Sequence, residues 1–241
     1  MRLLMIRHAD PDYAIDGLTE KGKREAQLLA HRLVREDVTA FYCSTLGRAR
    51  CTLAPTLEEL GREAEYCEWL REFNVARVKL PYLDVEKNCW DLLPSFVEAH
   101  PELYLPSGWR EADFIRASDV AKTYDGVCLA FDALLARHGY ERDGLSYLAR
   151  RPSHDTLVLL CHFGVEAVLL SHLLNCSPYS LWQNTVALPS SVTTVYTEER
   201  EAGRASFRVS SFADLSHLYV AKEEPAFAAR FCECYTDDTR H

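Results

Sequence analysis

The chain has 241 residues, 48% of them hydrophobic and 26% charged, with a formal net charge of -9. That length buries a sizeable core without disulfide or metal staples. The acidic balance argues against nucleic acid or an anionic membrane as the main partner, since both demand a basic face. A small anionic substrate stays open, because a few arginines in a pocket dominate locally.

In chain order, Arg2–Arg7 is an apolar run of the buried-strand type. Its four apolar residues, Leu3 to Ile6, fall short of the roughly 7–15 of a secretory signal. No run approaches the roughly 20 residues of a membrane span. Thr19 reads as the cap of a helix with Ala26, Leu29, Ala30 and Leu33 on one face, and Gly22 weakens its first turn. Val38–Cys43 reads as a second strand. Ser44 opens a second helix that stops at Gly61. Strand, helix, strand, helix implies an α/β three-layer sandwich, with a mostly parallel central sheet flanked by helices.

Residues of about 73–120 read as an inserted cap region in a single domain, irregular and rich in Pro, Trp and Tyr up to 111, with one short helix near Pro94–Ala99. Residues 112–138 read as helical, and Gly139–Pro152 as a polar loop. Thr156–Cys161 is the strongest strand in the sequence, followed directly by an apolar helix over Gly164–Leu174. Residues 192–197 and 206–212 read as late strands. The nine cysteines are scattered without a CxxC pair. They read as reduced thiols, which implies a cytoplasmic protein. The Cys232/Cys234 CxC is taken as fortuitous rather than as a metal site.

Two histidines share one setting. His8 follows the first apolar strand through Arg7, and His162 follows Thr156–Cys161. In open α/β sheets, ligands bind beyond the carboxyl ends of the strands. Arg48, on the first turn of the second helix, and the helix start after His162 add the positive character that suits phosphate. These residue types fit phosphoryl transfer, which depends on positioning and charge neutralisation. A neutral His8 can attack phosphorus, Arg7 and Arg48 can bind the non-bridging oxygens, and His162 can donate to them. Cationic neighbours keep His8 unprotonated. A carboxylic acid must then protonate the leaving oxygen and later activate water.

Arg7-His8-Ala9-Asp10 resembles the Arg-His-Gly-Glu signature of the histidine phosphatase superfamily, the phosphoglycerate mutase-like proteins. Leu18–Gly22, Ser44–Ala49, Leu70-Arg71-Glu72, Cys161–Gly164 and Asp214–Leu218 resemble further motifs of that family, in its order, over about residues 1–218. The resemblance implies a phosphohistidine on His8, a phosphate pocket of Arg7, Arg48 and His162 with Phe163 beside it, and Glu72 as proton donor. It implies a small phosphorylated substrate and neither a metal nor a nucleotide cofactor. A homodimer is compatible with the fold class.

The chain departs from the pattern in places. Ala9 replaces glycine, and Ala14 stands where many members carry an asparagine phosphate ligand. Phe73–Arg77 lacks the family's usual glycine and Trp-Glu-Gly, so Asp91, Glu111 and Asp113 are rivals to Glu72 as the acid. The extended mutase signature is missing, which favours phosphatase over mutase. A phosphate-ester binding or regulatory protein of low activity is the alternative from another class. His31, His100, His138, His154, His172 and His241 read as structural or exposed. His217 reads as packing or capping. Trp90, Trp109 and Tyr82 are candidates for lining the site.

Overall fold

The computed structural model describes residues 1–228 together with Cys234 and Thr236. Cys232 and His241 lie outside the described residues. The sheet strands are, in chain order, β1 (Arg2–Arg7), β2 (Ala40–Ser44), β3 (Glu65–Cys67), β4 (Tyr140–Asp143), β5 (Ser146–Ala149), β6 (Thr156–Cys161), β7 (Val192–Glu201) and β8 (Arg204–Asp214). The longer helices are α1 (Glu20–Leu33), α2 (Gly47–Leu60), α3 (Val120–Arg137) and α4 (Phe163–Leu174).

One eight-stranded mixed sheet runs in the order β3-β2-β6-β1-β7-β8-β5-β4. The β3-β2-β6-β1 half is parallel, as the strand-helix alternation predicts. From β7 onward every pairing is antiparallel. β1 and β6 lie at the centre and are buried on both faces, which is why they read as unbroken apolar runs. In β1, Leu4 and Ile6 face a core with Leu29 and Leu33 of α1 and Leu53 of α2. Leu3 and Met5 face the opposite core, shared with Phe131 of α3 and Val165 and Val168 of α4. Period-two alternation thus gives each strand two cores, and the three layers follow.

Local signals explain the element ends. The Thr19 hydroxyl accepts from the Gly22 N–H at 3.0 Å, a cap of about 1 kcal/mol. It also donates to the Asp10 carboxylate at 2.7 Å. Gly22 is required there for another reason: a Cβ would sit 2.1 Å from the Asp10 carbonyl oxygen. α1 therefore lies directly on the loop that follows His8. Glu25 of the same helix accepts from the N–H groups of Asp10 and Ala226.

Several expectations need correction. Ser44 does not open α2; it is the last residue of β2, and the helix begins at Gly47 after Leu46. Gly139–Pro152 is not a loop but carries the β4–β5 hairpin, anchored by the fully buried rings of Tyr140 and Tyr147. Residues 112–138 are two helices, Asp113–Arg116 and α3, broken around Ser118. The late strands extend to Glu201 and Asp214. The short helix of the insertion is Pro94–Glu98. The insertion buries Phe73, Val78, Leu80, Leu103, Trp109 and Ile115 in the same core as α3 and α4. No helix among the described residues is long and apolar enough to cross a membrane.

Candidate active site

Ladder register builds the site. Arg7 of β1 pairs with Cys161 of β6, so His8 and His162 emerge from adjacent parallel strands at the same level. Their ring centroids are 4.9 Å apart. The His8 N–H donates to the Cys161 carbonyl at 3.1 Å, which fixes the first residue past the sheet. β2 delivers Ser44 one strand further, and its hydroxyl meets His162 Nε2 at 2.8 Å.

The His8 imidazole is oriented at both nitrogens. Nδ1 lies 2.7 Å from the Ala9 carbonyl and must donate to it, which leaves the lone pair on Nε2. Arg48 Nε donates to that Nε2 at 3.3 Å. Burial holds His8 well below the usual histidine range, aided by the charges of Arg7 and Arg48. His162 is lowered as well, by burial and then by His8, Arg48 and Arg7. Its Nδ1 is buried and without a hydrogen-bond partner. His8, His162, Arg7 and Arg48 are all more than nine-tenths buried.

Glu72 follows the Glu68–Leu70 turn that continues from β3. Its Oε1 accepts from the N–H groups of Phe73 and Gly164, each at 2.9 Å. Burial raises its carboxyl above the usual range, against the opposing pull of those N–H groups, Arg7 and Arg48. The first turn of α4 is thus shared between His162, its cap residue, and Glu72, which binds an N–H that no helix carbonyl reaches. Gly164 permits this approach, since a Cβ would meet Glu72 Oε1 and the Trp90 ring, each at 2.5 Å. Gly164→Ala is expected to destabilise the fold by about 1–3 kcal/mol, as overpacking does. Urea unfolding checks this, and an unchanged midpoint would mean that Glu72 and Trp90 yield without cost.

The rival acids stand elsewhere. Glu111 and Asp113 are exposed and both pair with Arg116. Asp91 is half-exposed, 3.7 Å from Lys87. Phe163 opens α4 and packs partly buried against the main core. Trp90 reaches the site through Gly164, whereas Trp109 is core, packed edge-on with Tyr124. Tyr82 packs edge-on against Phe96 inside the insertion. His217 is buried against the Ser190 hydroxyl, and the Ser190 N–H donates to the His8 carbonyl. His217 therefore props the backbone of the site, as a packing residue does.

Sequence reading missed four contributors. Ser44 orients His162. Thr52 accepts from the Ala9 N–H at 2.9 Å and donates to the Arg48 carbonyl. Asp16 accepts from Arg48 and from the Gly47 N–H, each at 2.6 Å, close to where Ala14 leaves the usual asparagine missing. Glu166 is buried on α4; it is the only acidic residue in an apolar helix, a signal visible in the sequence.

Comparison with known proteins identifies the fold and the family. A protein of Schizosaccharomyces pombe described as a probable phosphatase is 26% identical over 235 residues, covering 90% of this chain and 95% of its own. The Entamoeba histolytica phosphoserine phosphatase superposes with a TM-score of 0.60 at 16% identity, over 90% of this chain and 98% of that one. A mycobacterial glucosyl-3-phosphoglycerate phosphatase gives 0.59 at 19% identity, over 88% and 98%. The α-ribazole phosphatase of Shigella flexneri gives 0.54 at 20%, over 87% and 95%. The family model of the histidine phosphatase superfamily (branch 1) matches residues 3–207, and the chain belongs to that superfamily.

Proposed function

We propose that the protein is a phosphomonoesterase that hydrolyses a small phosphorylated metabolite through a phosphohistidine on His8. The observation that carries this reading is the neutral His8 with its Nε2 lone pair beside Arg48 and His162, and a raised, buried Glu72 close by. In the first step, His8 Nε2 attacks phosphorus while the ester P–O bond breaks. Arg7, Arg48 and His162 take up the charge on the non-bridging oxygens, and Glu72 gives its proton to the leaving oxygen. In the second step, a water attacks phosphorus, Glu72 accepts its proton, and the P–N bond breaks to release inorganic phosphate. A small-metabolite substrate is supported by similarity to phosphatases of phosphoserine, glucosyl-3-phosphoglycerate and α-ribazole esters.

The test is hydrolysis of p-nitrophenyl phosphate and of an alkyl phosphate, in excess chelator, across pH. The sign follows from the two groups. His8 is lowered, so it stays an unprotonated nucleophile well below pH 6.5. Glu72 is raised, so it keeps its proton above pH 4.5. The windows overlap, so kcat/KM for the alkyl ester is expected to fall toward alkaline pH as Glu72 loses its proton. A rate that climbs steadily into alkaline solution would remove Glu72 as the acid. Loss of all turnover in chelator would remove the metal-independent mechanism.

A further inference from the structure

α4 carries a second buried carboxyl that the mechanism above does not use. Glu166 is 1% exposed, and neither of its oxygens holds a hydrogen bond of good geometry. The sheet tells what it faces. Arg7 points to the same side of β1 as Leu3 and Met5, the side on which α4 packs. On β7, Thr193 pairs with Met5, so its hydroxyl lies on that side and favours the charged form of Glu166. On β6, Cys161 pairs with Arg7, and among charges its thiol feels Glu166 first and Glu72 second.

Arg7 mirrors this incompleteness. One guanidinium nitrogen, Nη1, donates to the carbonyls of Ala187 and Ala228, at 2.6 and 3.3 Å. Its Nε is buried without a partner. Its favourable charge interactions include both Glu72 and Glu166. Arg7 therefore serves two buried carboxyls, while Arg48 is divided between Glu72 and Asp16. Two carboxylates beside Arg7 repel each other, so they compete for one proton.

We propose that Glu166 is a positioning residue of the phosphoryl pocket: ionised, it balances Arg7 while the pocket is empty, and it takes up a proton when an oxyanion binds, releasing the Arg7 charge to the incoming oxygens. This rests on the reading of Arg7 as a phosphoryl ligand. The proton comes from solvent on binding and returns to it when phosphate leaves, so the cycle balances. Burial pushes Glu166 up to about 7, with Arg7 opposing and Glu72 adding to the rise, which puts the exchange in the neutral range. Its titratable neighbours toward the pocket are displaced in both directions. His8 and His162 are lowered, and the Cys161 thiol and the Tyr124 and Tyr179 phenols are raised by burial. At the far end of α4, His172 meets the Asp132 carboxylate of α3 at 2.9 Å.

Tungstate is a suitable probe, because it is a dianion throughout the neutral range and its own protonation does not intrude. Calorimetric binding at about pH 7.5, in buffers of different ionisation enthalpy, reads the protons exchanged. Wild type is expected to take up roughly half a proton per tungstate, with affinity falling up to about tenfold per pH unit above neutrality. Glu166→Gln should bind tungstate with little uptake and a flat pH profile, whereas Glu72→Gln should keep the uptake. Wild-type binding without uptake overturns the proposal, and this reading stands even if Glu166→Gln fails to fold. Equal uptake by wild type and Glu166→Gln, or loss of uptake in Glu72→Gln alone, overturns it as well. Failure of wild type to bind tungstate brings down the pocket reading and the proposal together.

Discussion

His8→Ala is expected to lower kcat for p-nitrophenyl phosphate by about 10⁴-fold or more, because removal of a covalent nucleophile leaves only binding and electrostatics. The variant should also yield no acid-labile phosphoprotein after rapid quenching, whereas wild type should yield one. The fold has reason to survive the change. His8 is held neutral by burial, so alanine removes no buried charge. Two interactions are lost, one to the Ala9 carbonyl and one from Arg48 Nε. Arg48 keeps its Asp16 partner. The backbone bonds of His8 to Cys161 and Ser190 do not depend on the side chain. A thermal melt near that of wild type, with activity gone, is therefore the combination expected. Wild-type turnover by the variant would reject the phosphohistidine mechanism outright.

Glu72→Gln separates the roles of the carboxyl. The amide oxygen can still accept from Phe73 and Gly164, so the local geometry is preserved. What disappears is the transferable proton. Esters with poor leaving groups need it and should slow by about 10²–10³-fold, whereas p-nitrophenyl phosphate, whose leaving group departs unaided, should lose less than about tenfold in formation of the intermediate. The alkaline fall in kcat for the alkyl ester at saturation should flatten too, while the weaker binding above neutrality that Glu166 imposes on KM stays. Comparing kcat/KM across a series of leaving groups tests this directly. Equal slowing of every ester would return the acid role to Asp91, Glu111 or Asp113, which would then have to leave their ion pairs with Lys87 and Arg116.

The parts of the fold that were legible in the sequence are those where a single physical demand acts on a stretch of chain. β1 and β6 are buried on both faces, which demands the apolar runs Leu3 to Ile6 and Leu157 to Cys161. The Thr19 cap and the end of α2 at Gly61 are local chemistry. The β4–β5 hairpin was missed because Glu141, Arg142, Asp143 and Ser146 make it look like a loop; only Tyr140, Tyr147 and Ala149 are buried. Ser44 was misread because a serine before a helical pattern resembles a cap, whereas here the hydroxyl goes to His162, 118 residues away in sequence. For the site, His8 and His162 were legible from the strands before them. The contact that distinguishes Glu72 from a surface glutamate is the Gly164 N–H, 92 residues away, and no local pattern encodes it.

The pairing of Arg7 with Cys161 also bears on how this scaffold can change. Because strand register, rather than a loop, brings the two histidines level, deleting one residue from β6 would invert its faces and carry His162 about 3.3 Å out of step. The reacting core is therefore intolerant of length change, while the segment between Phe73 and Val120 connects no two strands of the main sheet by a short turn. That segment can be exchanged for one of another length without shifting the register of the central strands. A graft would still have to supply a ring against Gly164 where Trp90 now stands, or the helix start that holds Glu72 would open to water.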